Sequence, residues 1–107
     1  MDSTNNFDGF SIHNIDTFVH EPVRLGILLL LRIHKKLSFL KIQSALDVTP
    51  GNLNSHINKL LEKNYIRAEK MFVNLKPQTI IVITEEGNKA ILSYIKGVKK
   101  LIGNSSN

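Results

Sequence analysis

The chain has 107 residues, 42% of them apolar, and a formal net charge of +5, which fits one small folded domain rather than a disordered chain. Its longest apolar run, ILLLL at residues 27–31, is far short of the ~18 residues of a membrane-spanning helix, and no basic-then-apolar leader opens the chain. Without cysteine there is no disulfide, thiolate nucleophile or thiolate metal site, and a cytoplasmic location is expected. Charge is unevenly placed: residues 1–21 hold Asp2, Asp8, Asp16 and Glu21 and no Lys or Arg, so the remainder sets all 14 basic side chains against five acids. A basic body suits a polyanionic partner, because neutralised phosphates release counterions. Many ordinary domains are also basic, so the order of elements has to carry the argument.

Residues 1–10 are polar and acidic and are expected to be mobile, as is the tail at 103–107. The domain proper is expected over 11–102. Residues 11–20 place Ile12, Ile15, Phe18 and Val19 on one face, which predicts a short helix. Pro22 sits where helices begin, and residues 23–33 are apolar almost all round, so that helix must be covered on nearly every side. Lys35 and Lys36 end it, residues 37–39 alternate as a short strand, and residues 39–46 return to helical spacing. Thr49 and Pro50 form an N-cap and N1 pair that opens a helix to about Asn64, with Leu53, Ile57, Leu60 and Leu61 as its inner stripe.

After Asn64, a left-handed stop, the period changes to two. Residues 65–72 and 79–83 read as two strands, with a turn-rich basic loop at 74–78 between them, so a β-hairpin is expected. Thr84, Glu85 and Glu86 then open a last helix, capped by the hydroxyl and with acids in its first turn. It is expected to run to about Ile102. The result is a mostly α chain with a small β-hairpin (α+β), in the order helix, short strand, helix, tight turn, helix, hairpin, long helix. That order is the winged helix-turn-helix arrangement.

At this point a family resemblance enters. Residues 20–92, in the segments HEPVRLGILLLL, LSFLKIQSAL, TPGNLNSHINKLLEKNYI and KMFVNLKPQTIIVITEEGNKAI, resemble the winged-helix DNA-binding domains of the MarR/ArsR superfamily, above all the short single-domain regulators of archaea and some bacteria. The resemblance implies a homodimeric transcriptional regulator of double-stranded DNA, with its third core helix in the major groove and its wing, 72–79, on phosphates or in the minor groove. It also implies the reading residues: Thr49, Gly51, Asn52, Asn54, Ser55, Asn58 and Lys59 on the helix 50–64, with Lys70, Asn74, Lys76, Gln78 and Thr79 on the wing.

The chemistry of those side chains suits the role. Asn pairs bidentately with adenine, and Ser and Thr donate or accept at any base, whereas lysines position the protein on phosphates. Gly51 leaves the backbone open to a close phosphate approach. Against this stands a solvated helix face, on which Asn and Ser are merely tolerated. Three asparagines in one helix are poor helix formers, which argues for a use. No arginine lies between Thr49 and Asn64, so an Arg–guanine contact from this helix is excluded and an A·T-rich or shape-defined site is expected. Arg67 and Lys41 either flank the footprint or are plain surface charges. His56 is expected to pack against the preceding helix; His13, His20 and His34 are scattered without metal-ligand spacing. No metal and no cofactor is expected.

The last helix carries Ala90, Ile91, Tyr94, Ile95, Val98, Leu101 and Ile102 as one apolar stripe, more than one small core covers. A two-fold dimer is therefore expected, with Ile15, Phe18, Val19, Leu29, Ile91, Tyr94, Ile95, Val98, Leu101 and Ile102 at the interface and a pseudopalindromic operator as its counterpart. No convergent polar pocket is readable, and a small-molecule effector is left open. No phosphate loop, nucleophile–base set or carboxylate pair argues for an enzyme. Two alternatives remain: a protein-interaction module of transcription machinery and a non-specific DNA-coating protein.

Overall fold

A computed structural model describes residues 11–106; the expected mobile segment at 1–10 lies outside them. Helix α1 (Pro22–His34) starts where Pro22 cannot donate and the Glu21 carboxylate accepts the Arg24 N–H at 2.8 Å. Its Ile27, Leu28 and Leu31 are completely buried. Lys35, at φ 68°, turns the chain out of the helix into strand β1 (Lys36–Ser38). Ser38 then caps α2 (Phe39–Leu46), its hydroxyl accepting the Lys41 N–H. Phe39 thus belongs to the helix and not to the strand, because the cap falls one residue earlier than the alternation implies.

Asp47, left-handed at φ 54°, ends α2 and permits the tight turn to α3 (Pro50–Glu62), which Thr49 caps by accepting the Asn52 N–H at 3.1 Å. Asn64, at φ 61°, is the left-handed stop expected of it. Strands β2 (Ile66–Val73) and β3 (Lys76–Ile83) form the wing, and β1 joins β3 on its other edge, giving the antiparallel order β1-β3-β2. The hairpin is tighter than the sequence suggests: Asn74 and Leu75 alone make the turn, and Lys76, Pro77 and Gln78 lie within β3. Pro77 fits there because β1 pairs only with Ile80, Ile81 and Val82, so beyond them β3 is an edge, where a missing N–H costs nothing.

Helix α4 (Glu85–Ser106) closes the chain. It continues over residues 103–106, past the expected end at Ile102. A second difference lies at the N-terminal end. Residues 12–14 form a 3-10 turn capped by Ser11, and the segment to Glu21 is a strap of turns instead of a helix. The Asp16 carboxylate accepts the N–H groups of Phe18 and Val19 at 2.9 and 3.2 Å, and this local bonding competes with helix formation.

One buried cluster joins all layers: Val19 from the strap, Ile27, Leu28 and Leu31 from α1, Ile42 from α2, Leu53, Ile57 and Leu60 from α3, Ile66 and Ile81 from the sheet, and Ile91 from α4. The molecule extends 65 × 24 × 24 Å with a radius of gyration of 17.0 Å, against about 13 Å for a compact chain of similar length. No helix among the described residues is long and apolar enough to cross a membrane.

Candidate nucleic-acid interface

Helix α3 divides its residues cleanly. Leu53, Ile57 and Leu60 enter the core, while Thr49, Gly51, Asn52, Asn54, Ser55, Asn58 and Lys59 are all exposed. Leu61, expected inside, stands at the rim at 36% exposure. The inner face of the wing continues this surface. Strand side chains alternate, and Lys70 and Thr79 line a trough of about 400 Å³ together with Asn54, Asn58, Leu61 and Ala68. Four of the expected DNA-contacting residues, from α3 and from the wing root, are therefore neighbours.

The other wing residues are not part of that trough. Gln78 lies on the opposite face with Met71, Val73 and Ile80, beside Lys36 and Lys41. Lys76 shares the parity of Gln78, next to the Asn74–Leu75 tip, so it reaches a ligand only at the end of the ribbon. Arg67 is engaged with Glu69 at 3.2 Å on the exposed outer face of β2. Such an exposed pair contributes little to stability.

His56 sits behind the α3 surface, half-buried against the start of α1. The Arg24 Nη1 donates to its Nδ1 at 3.0 Å, and the Glu21 carboxylate lies 3.6 Å away. Arginine has no acceptor, so Nδ1 must accept in this bond. Arg24 also donates from Nε to the Phe18 carbonyl at 2.8 Å and lies 4.5 Å above the Phe18 ring. Phe18 meets Tyr65 edge-on, with the Lys63 ammonium 5.1 Å from its centroid. Burial, and next the negative charge of Asp16, push the Tyr65 phenol above its ordinary value. This knot of Glu21, Arg24, His56 and Phe18 was not legible in the sequence, since its members are 38 residues apart at the extremes and follow no periodicity.

The expected dimer residues separate into two groups. Val19 and Ile91 are completely buried in the protomer and have no surface to offer a partner. Phe18 is held within its own chain by Arg24 and Tyr65. Ile15, Tyr94, Ile95, Val98 and Leu101 are half-buried, whereas Leu29 and Ile102 are exposed. His20 Nδ1 lies 2.7 Å from the Tyr94 hydroxyl, tying the strap to α4. Among the described residues no three His, Cys, Asp or Glu side chains gather as a metal site.

A helix-turn-helix with a β-wing and a polar outward helix defines a winged-helix DNA-binding domain. Residues 23–102 match the winged helix DNA-binding domain family, and the chain belongs to that family of transcription regulators, which is not enzymatic. A relative in Methanocaldococcus jannaschii, an uncharacterised protein, is 34% identical over 82 residues, covering 77% of this chain and 89% of its own. Among solved structures, a transcriptional regulator homologue from Pyrococcus horikoshii superposes with a TM-score of 0.78 at 30% identity, covering 97% of this chain and 100% of that one. The YusO protein of Bacillus subtilis superposes with a TM-score of 0.70 at 18% identity, over 94% of this chain and 67% of its own, a likeness of fold.

Proposed function

We propose that this chain is a homodimeric, sequence-specific regulator of double-stranded DNA, acting in the cytoplasm as a repressor, with α3 in the major groove and the wing on adjacent backbone or minor groove. The observation that carries the reading is the division of α3. Its three buried residues fix the helix to the core, and seven polar or glycine positions are left facing outward beside Lys70 and Thr79. Asparagine amides at that face suit adenine edges, and the absence of arginine on α3 favours A·T-rich sites.

The homodimer is supported by α4. Tyr94, Ile95, Val98, Leu101 and Ile102 form a stripe that the protomer's core covers only in part, and pairing across a two-fold axis would bury the rest. Val19, Phe18 and Ile91 are left out of this interface. A dimer occupying a promoter blocks polymerase without any further contact, which favours repression.

The test is selection of duplexes from a random pool by the purified protein, followed by binding of the winner and of a scrambled duplex across a salt series. At least a hundredfold preference for the winner with a steep salt slope is expected. Equal, salt-sensitive binding to both would instead make the protein a DNA coater. Failure to bind either at low salt would make it a protein-interaction module. A guanine-anchored consensus under α3 would overturn the A·T preference.

A further inference from the structure

The tip of the wing is built against the usual rules of a hairpin. Val73 pairs with Lys76, so Asn74 and Leu75 alone form the turn, and both have positive φ, 54° and 66°. Such two-residue turns take Asn-Gly, because the second position is left-handed and glycine alone has no Cβ to clash there. Here that position holds a leucine, strained in its backbone and 94% exposed. Phe72, one pair down the ribbon, is 79% exposed. Glycine would serve the hairpin better on both counts. The leucine therefore needs a reason outside the free protomer.

The surroundings of the tip say which partner takes it out of water. Residues 70–79 contain Lys70 and Lys76 and no acid, which suits a polyanion. Phe72 has the strand parity of Lys70 and Ala68, so it extends the same inner face that forms the trough with Asn54 and Asn58 of α3. The apolar tip thus lies at the far end of the surface assigned to DNA. An eight-residue ribbon is about 27 Å long, and only its root, through Ile66 and Ile81, is anchored in the core. The ribbon itself is too wide for a minor groove about 6 Å across, but the single Leu75 side chain exposed at its tip is not.

We propose that Leu75, backed by Phe72, is an apolar wedge that enters the minor groove beside each half-site and partly unstacks one base step, kinking the duplex. The inference rests on the DNA-binding reading above. Aliphatic and aromatic wedges inserted between base steps bend DNA by about 20–90°. Pyrimidine–purine steps, TA above all, open most easily. The wedge therefore adds a sequence preference in the flank of each half-site without a single hydrogen bond to a base. Lys70 and Lys76 would grip the phosphates on either side of the opened step, because a groove that admits the leucine brings its walls to them.

The experiment uses the full chain and the duplex recovered by the selection, labelled with a donor and an acceptor at its two ends. Wild type, Leu75→Gly and Leu75→Met are compared for energy transfer at saturation, for affinity across salt, for thermal unfolding and for mass in solution. Leu75→Gly restores an Asn-Gly turn, so it should melt at or above the wild-type temperature, which separates loss of the wedge from loss of the fold. Wild type and Leu75→Met are expected to bring the duplex ends together. Leu75→Gly should bind with an unchanged salt slope and less than about tenfold weaker affinity, because unstacking offsets much of what burying the leucine gains, and should leave the duplex straight. Equal bending by wild type and Leu75→Gly, or none by either, overturns the proposal. A change in the mass of the free protein with Leu75→Gly also overturns it, by making the tip a contact between copies. Absence of binding by wild type at low salt sinks the DNA reading itself.

Discussion

Replacing Gly87 by alanine puts a methyl group where the Tyr65 carbonyl oxygen already stands. A Cβ built at this buried position lies 2.0 Å from that oxygen and 2.8 Å from its carbon, so the contact must open by roughly 1.5 Å to reach an ordinary separation. The carbonyl is not free to move, because it accepts the Thr84 N–H at 3.1 Å. Thr84 is itself fixed: its hydroxyl donates to the Asn64 carbonyl at 2.7 Å and accepts the Gly87 N–H at 3.0 Å. Overpacking of this kind costs about 1–3 kcal/mol, and unpairing a buried backbone group adds about 1–3 kcal/mol. The helix preference of alanine returns about 1 kcal/mol. The net loss, about 1–5 kcal/mol with a midpoint of about 3 kcal/mol, is a large fraction of the ~5–15 kcal/mol that holds a domain together. Thermal unfolding by circular dichroism at one fixed protein concentration should show Tm lowered by about 10–20 °C. A Tm within about 3 °C of wild type would refute the claim that the start of α4 is locked onto the residue that leads into β2.

Gly51→Ala is the contrasting change, since its Cβ would meet nothing within 4 Å; stability should rise by up to about 1 kcal/mol, while DNA affinity falls as the backbone loses its close approach to phosphate. Asn54→Ala should cost about 1–3 kcal/mol on the selected duplex and little on random DNA, whereas Lys76→Ala should weaken both alike and lower the salt slope by about 1, as titrations at several salt concentrations will read. Ile102→Glu, at a site 60% exposed in the protomer, should leave the fold intact but halve the sedimenting mass at micromolar concentration; an unchanged mass argues against pairing through α4. Tyr65, whose folded-state pKa is raised by burial and by Asp16, contributes stability that is fully present below the ordinary phenol value of about 10 and is lost as pH rises through the higher folded value. Melting curves from pH 8 to 11 should therefore fall more steeply for wild type than for Tyr65→Phe, and parallel curves would remove Tyr65 as the cause.

Most of the architecture was legible because it is written in local chemistry. Thr49-Pro50, Pro22 and Thr84 announce helix starts that the structure contains, and the change of period after Asn64 announces the wing. The failures also have local causes. Asp16 diverts its own backbone into turns, which a count of apolar residues over 11–20 does not register. Pro77 looked like a loop residue, and only the shortness of β1, a tertiary fact, makes it acceptable in β3. The outward face of α3 followed from the periodicity of Leu53, Ile57 and Leu60. The trough that joins it to Lys70 and Thr79 depends on strand parity, and a misplaced turn would have inverted it. The apolar stripe on α4 does not say where the protomer's own core ends, so Ile91, expected at a dimer interface, is found buried in that core.

The position of that core boundary constrains how the two halves of the molecule act together. Val19, the α1 residues, the α3 stripe and Ile91 belong to one buried cluster, so the reading helix and the base of α4 cannot shift against each other without opening a close-packed interior. His56–Arg24 and His20–Tyr94 add polar ties along the same line. In a dimer the separation of the two reading helices is then set by how the distal α4 segments pair, from Tyr94 onward, and not by a hinge inside the protomer. A signal that changes DNA affinity has two places in which a small displacement is cheap. One is the proposed α4 pairing, which would set the distance between half-sites. The other is the free end of the wing, which lies beyond the core altogether and, on the wedge proposal, would determine what happens to the flanking step.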